Sequence, residues 1–182
     1  MGQAAGVAAA LAVRSGVDPS QVSLPQLQAE LLRQRCVLYY YGDITPAHPQ
    51  FEAIQQLSLR GAFRGDEGYN FNPDEIVTRG EAARALVAAL ELPYSISGPH
   101  FKDCGVKHPA FRSVETLFDY GSALGIAAFA ADANGNLGVD EPAGPEFARW
   151  LEAFRLKPPP AAQRYSRAEF AAALWAGVSS RS

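Results

Sequence analysis

The feature that most limits what this chain can fold into is a gapless internal repeat. Asp43, His48, Pro49, Phe51, Ile54, Leu57 and Gly61 return as Asp103, His108, Pro109, Phe111, Val114, Leu117 and Gly121, each 60 positions later. Similarity at a fixed period marks supersecondary units that cannot bury their apolar faces alone and must stack on one another. In both copies His-Pro reads as a helix start with Pro at the first helical position, and Gly61 and Gly121 fall where a helix C-cap belongs. A second pattern links Thr78-Arg79-Gly80-Glu81 to Ser166-Arg167-Ala168-Glu169. Both read as capping boxes, the hydroxyl taking a backbone N–H while the Glu three residues on reaches back. Gly144-Pro145-Glu146-Phe147 starts another helix, and Lys157–Gln163, with three consecutive prolines, is a stiff connector.

The residues before the repeats differ in character. Gly2–Val13 is Ala-rich and apolar all round, as expected of a helix enclosed by other structure, and Gly16 offers its C-cap. A second helix follows Ser23, with Pro25 in its first turn and Leu24, Leu27, Leu31 and Leu32 on one face. Val37-Leu38-Tyr39-Tyr40-Tyr41 is short and β-prone. The division expected is therefore 1–40, 41–93 and 94–182, in a mainly α-helical chain whose repeats hold their own core.

Several functions are disfavoured by composition. A formal charge of −3 gives no basic footprint for nucleic acid. The apolar run Ala4–Val13 has no Lys or Arg before it and falls far short of the ~20 residues of a membrane span. Cys36 and Cys104 form no Cys-x-x-Cys and read as free or buried thiols. Asp132-Ala133-Asn134-Gly135-Asn136 opens like a calcium loop, but Leu137 stands where the loop needs Gly and Ala143 where it needs Glu, so it reads as a polar turn at an insertion tip. His48 and His108 read as structural helix-start residues, and three dispersed histidines make no metal site. No Gly-x-Ser-x-Gly, P-loop or His-Glu-x-x-His is present, and nothing points to free-standing catalysis.

The repeated unit resembles the S-layer homology (SLH) module. Tyr41-Gly42-Asp43, His48, Gly61, Gly65, Phe71-Asn72-Pro73 and Thr78-Arg79-Gly80-Glu81 carry the match across 41–92. The second copy opens with Phe101-Lys102-Asp103 and His108, then sets Leu137-Gly138-Val139 where the family has Phe-x-Pro and Gly144-Pro145 in place of Thr-Arg. A third piece, Tyr165–Val178, carries only the Arg-bearing helix. The resemblance implies an α-helical bundle at the cell envelope, with Arg79 and Arg167 as contacts for an acidic wall polysaccharide. A guanidinium fork suits such carboxylates.

Met1-Gly2-Gln3-Ala4-Ala5-Gly6 resembles the closing helix of the FAD-dependent oxidoreductases, and Leu27–Leu38 is similar to that family's following helix, with Arg35 where a Gly is expected. This implies that Gly2, Gln3, Ala4, Ala5 and Gly6 approach FAD in an intact parent, where free N–H groups favour electron-rich oxygens. The chain has no Gly-x-Gly-x-x-Gly unit of its own, so flavin chemistry and the flavin domain are expected upstream. The leading expectation is thus the C-terminal segment of an FAD-dependent oxidoreductase carrying an SLH-like module. The alternatives are a non-enzymatic SLH-type wall anchor and a purely structural module.

Overall fold

The computed structural model describes residues 2–125, 129–160 and 162–180. Among these residues seven α-helices follow in order: α1 (Gly2–Ser15), α2 (Leu24–Arg33), α3 (Phe51–Leu59), α4 (Arg79–Ala89), α5 (Phe111–Ala123), α6 (Glu146–Ala153) and α7 (Arg167–Ser179). A 3-10 turn, Pro19–Gln21, joins α1 to α2. The described residues contain no sheet, only the isolated bridges Ile76–Ser166 and Thr78–Pro142. The chain is mainly α, as the helical periodicity implies.

The repeated His-Pro does not begin a helix. His48 and His108 close a tight turn, their N–H groups donating to Thr45 and Gly105 carbonyls. Each ring then accepts at Nδ1 from the N–H two residues on, Gln50 or Ala110, at 3.1 Å. The imidazole takes up an amide that has no partner inside a helix, and the helices start at Phe51 and Phe111. Both histidines are structural, but they serve the turn that leads into each helix, and Pro49 and Pro109 lie in that turn ahead of the first helical residue.

Gly61 caps α3 with φ 76°, its N–H and that of Ala62 returning to Ser58 and Leu57. Gly121 instead lies buried inside α5, which runs on to a left-handed Gly125 at φ 68°. The second copy of the first helix is therefore a turn longer than the period indicates. Gly16 and Arg35 end α1 and α2 at φ 64° and 61°. A left-handed Arg carries a steric cost that Gly avoids, and here Arg35 also donates to the Pro46 carbonyl at 3.0 Å.

The β-prone run forms no strand. Its neighbour is a side chain: the buried Gln55 amide accepts from the Leu38 and Tyr39 N–H groups at 2.8 and 2.7 Å and donates to the Tyr39 carbonyl at 2.7 Å. One glutamine on α3 thus supplies what a paired strand would.

The main core joins α3 through α7, with α3 packed on α7 and α4 on both α5 and α7. Phe147 sits between Tyr165 and Phe170, at 5.4 and 4.2 Å between ring centroids, and Phe63 between Phe71 and Phe170, at 5.3 and 6.2 Å. Leu32 of α2 belongs to this core, whereas Leu31 faces a small satellite with Val7 and Leu11. The repeats therefore share their core with the preceding segment. Helix α1 is not enclosed: it packs chiefly on α2 and the 3-10 turn, with Cys36 and Leu38 beside its satellite cluster, and Val13 is 83% exposed. Both thiols are free, and burial pushes Cys104 up to about 11, so it stays protonated.

Candidate binding grooves at the repeat junctions

Each repeat builds the same backbone hook. In the first copy, Gly68 and Asn70 N–H groups both donate to Asp66 Oδ1 at 2.8 Å. In the second, Asn134 and Asn136 do the same to Asp132 Oδ1, also at 2.8 Å. The Asp132–Asn136 segment is therefore the counterpart of Asp66–Asn70, a regular part of the unit and not an insertion tip. These bonds hold the Asp66 and Asp132 carboxyls below their ordinary range, in each case through the amide of Asn70 or Asn136 first.

The stretch that leaves each turn is caught by the first aspartate of its repeat. Asp43 accepts from Phe71 and Asn72 N–H at 2.7 and 2.6 Å. Asp103 accepts from Leu137, Gly138 and Val139 N–H at 2.9, 2.7 and 2.8 Å. At the same place in both stretches the backbone turns left-handed, at Asn72 (φ 56°) and Gly138 (φ 74°). The repeated aspartate had no role in the sequence pattern beyond recurring; its role is to hold a strand-like segment that has no sheet.

That segment seats a helix from another repeat. Arg79 and Gly80 N–H groups at the start of α4 donate to Glu141 and Val139 carbonyls, at 2.9 and 2.8 Å. Arg167 and Ala168 at the start of α7 donate to Glu75 and Pro73, at 2.8 and 3.0 Å. Gly80 stands where the equivalent helix start has Ala168, for a local reason: a Cβ there would lie 2.8 Å from Val139 Cγ2 and 3.0 Å from Ala110 Cβ. Thr78 and Ser166 cap their helices, accepting from Glu81 and Glu169 N–H at 3.2 and 3.3 Å. Only Ser166 completes the box, with Glu169 reaching back to its N–H. Glu81 turns away to Arg167.

The two candidate arginines serve different junctions. Arg79 Nε meets Glu146 Oε1 at 2.8 Å, and one terminal nitrogen meets Glu141 Oε2 and the Leu137 carbonyl, both at 2.9 Å. Its cavity, about 280 Å³, also carries Asp103, Asp132, Asp140 and Glu141. Burial works to raise Glu146, but the Gly144 N–H and Arg79 outweigh it and hold its carboxyl low. Arg167 is more deeply set. It pairs with Glu81, donates to the Arg64 carbonyl at 3.2 Å, and lies over Phe71 and Phe63 at 4.9 and 5.4 Å from their centroids. Burial raises the Glu81 carboxyl by more than Arg167 and Arg84 lower it. The Arg167 Nε is buried without a hydrogen-bond partner. The residue lines a cavity of about 240 Å³ that also takes in Arg64, Arg84, Asp66, Glu75 and Glu81. Pro145 occupies the position of a third such arginine, so this contact is made twice.

Gly2, Gln3, Ala4, Ala5 and Gly6 lie apart from both junctions, at the start of α1 in the satellite cluster. All but the half-buried Ala4 are exposed, and nothing lies within 4 Å of a Cβ built on Gly2 or Gly6. Among the described residues no helix is long and apolar enough to cross a membrane.

A search of the curated proteins found no match. Nothing found in comparison with known families supports an FAD-dependent oxidoreductase part. Residues 40–83, which hold the Asp43 hook, α3, the Asp66 turn and the start of α4, match the S-layer homology domain, and the chain carries one such domain.

Proposed function

We propose that the repeat bundle is a non-catalytic attachment module that binds an acidic cell-wall polysaccharide and holds the chain at the cell envelope. The observation that carries this is the S-layer homology domain at 40–83, since domains of that family bind cell-wall polysaccharide. The cavity at Arg167 supports it. Arg64, Arg84 and Arg167 line it together, so a carboxylate entering it meets more than one guanidinium. Arg79 is the weaker candidate, because its guanidinium already serves two carboxylates and its cavity is acidic. Sedimentation of the whole chain with purified cell walls tests this. Arg167→Lys keeps the charge but loses the fork, and is expected to weaken binding roughly fivefold to tenfold, about the value of one ordinary hydrogen bond; Arg79→Lys changes little. Salt weakens binding of the unaltered chain. Equal sedimentation of the chain and both folded variants removes the arginines from the interaction.

A second reading keeps the flavoprotein resemblance. In it, Gly2, Gln3, Ala4, Ala5 and Gly6 contact FAD in an intact parent, and a flavin domain is the partner. One observation favours it: the first turn of α1 stands open, with free N–H groups and no side-chain bulk on Gly2 or Gly6. This chain brings no pyrophosphate-binding loop to that helix end. Titration with FAD, followed by fluorescence quenching, is therefore expected to be flat, and micromolar binding would show a flavin site within the chain itself.

A further inference from the structure

A third groove lies between the bundle's first two repeats, and its chemistry differs from both arginine cavities above. It is a cavity of about 410 Å³ where the end of α3 meets α4 and the start of α5. Arg64 follows α3, Arg84 stands on α4, and Arg112 stands in the first turn of α5. Tyr94, 60% exposed, forms one wall, and no carboxylate lines the space.

Three cations gathered without a counter-charge are unusual in this chain. The Arg167 and Arg79 cavities each carry at least as many carboxylates as guanidinium groups. Glu81 is electrostatically coupled to Arg84, but it is already paired with Arg167. Arg64 and Arg84 hold no ion pair among the described residues. Arg112 is steadied by donating to the Ser95 carbonyl at 3.2 Å and by lying 5.6 Å from the Phe111 ring centroid. The three arginines line one space that no carboxylate lines, and a bound anion would supply the missing counter-charge. Helix α5 adds to the field in the same sense: among α3 to α7 it alone has no acidic residue in its first turn.

We infer that this groove binds a phosphate group carried on a sugar or polyol. A carboxylate has one charge and one planar edge, so it satisfies a single guanidinium fork and leaves two arginines uncompensated. A phosphate monoester carries nearly two charges and three strong acceptor oxygens, which match three donors arriving from three elements. The Tyr94 ring offers an apolar face with a polar tip, suited to the carbon skeleton that carries the phosphate. The inference does not rest on the wall-polysaccharide reading, although Arg64 and Arg84 line both this groove and the Arg167 cavity.

The test is calorimetric titration of the whole chain at constant ionic strength with glucose 6-phosphate, inorganic phosphate and galacturonate. Glucose 6-phosphate is expected to bind most tightly, phosphate several-fold more weakly, and galacturonate at least tenfold more weakly. Arg112→Gln should cost about tenfold, the loss of one charge-assisted contact. Tyr94→Ala should bring glucose 6-phosphate down to the level of free phosphate. Arg33→Gln, the same charge change on α2, should leave binding unaltered. Galacturonate binding as well as phosphate, no binding of any of the three, or full binding by Arg112→Gln overturns the inference. Equal binding of free and sugar phosphate overturns its sugar part. Sedimentation with walls that survives such a failure leaves the attachment reading intact.

Discussion

Arg167→Ala lowers the unfolding free energy by about 3 kcal/mol, the low end of the cost of breaking a buried ion pair from one side. The partner left behind is Glu81, whose side chain is only 22% exposed. The guanidinium also gives up its place over Phe63 and Phe71 and its bond to the Arg64 carbonyl. Urea unfolding measures the loss. Adding Glu81→Gln recovers part of it, since the orphaned charge goes with the carboxylate. A pH series separates charge from packing. Burial already raises the folded-state pKa of Glu81 above its ordinary value, and removing Arg167 raises it further. A raised carboxyl contributes stability in full below its unfolded pKa and loses it as pH rises through the folded one. The variant's deficit is therefore largest at neutral pH and shrinks toward acid. A deficit that stays constant across this range would mean that packing, and not the stranded charge, accounts for the loss.

The second large effect is at Asp103. Replacement by Ala strands three backbone N–H groups, on Leu137, Gly138 and Val139. The expected destabilisation is about 3 kcal/mol, since water reaches part of the site. Asp43→Ala strands two amides and should cost less. Burial acts to raise the Asp103 carboxyl, and the Val139, Leu137 and Gly138 N–H groups outweigh it and hold it low. Its contribution is present above the ordinary carboxylate range and lost as pH falls through the lowered value. Thermal unfolding followed between neutral pH and strong acid should show Asp103→Ala converging on the unaltered chain. Parallel curves with a fixed gap would contradict the hydrogen-bond account.

The repeat could be read as a repeat because its helices advertise their own ends. Gly16 and Gly61 cap, Thr78 and Ser166 accept the orphaned amides, and the apolar positions return every three or four residues. These are local interactions, complete within one turn of chain. The longer α5 escaped that logic: Gly121 is as good a stop signal as Gly61, but buried packing carried the helix past it to Gly125. The β-prone Val37–Tyr41 likewise obeyed its environment, where a glutamine from α3 supplied the hydrogen bonds.

The candidate site divides in the same way. Arg79 and Arg167 stand out in the sequence because each follows a helix cap, and nothing local distinguishes them. Their partners lie 62 to 86 residues away for the carboxylates Glu141, Glu146 and Glu81, a separation no local pattern encodes. Only the packed bundle makes one arginine a neutralised strut among acids and gives the other a buried N–H without an acceptor. Arg64, Arg84 and Arg112 belong to no motif at all, and they meet because α4 packs against α5. By itself the sequence determined helical content, most of the caps and the period of the repeat, since those depend on dihedral preference and hydrogen bonds between near neighbours. The tertiary structure decided which charges are spent within the fold and which remain for a ligand, because Coulombic pairing and desolvation depend on distance in space.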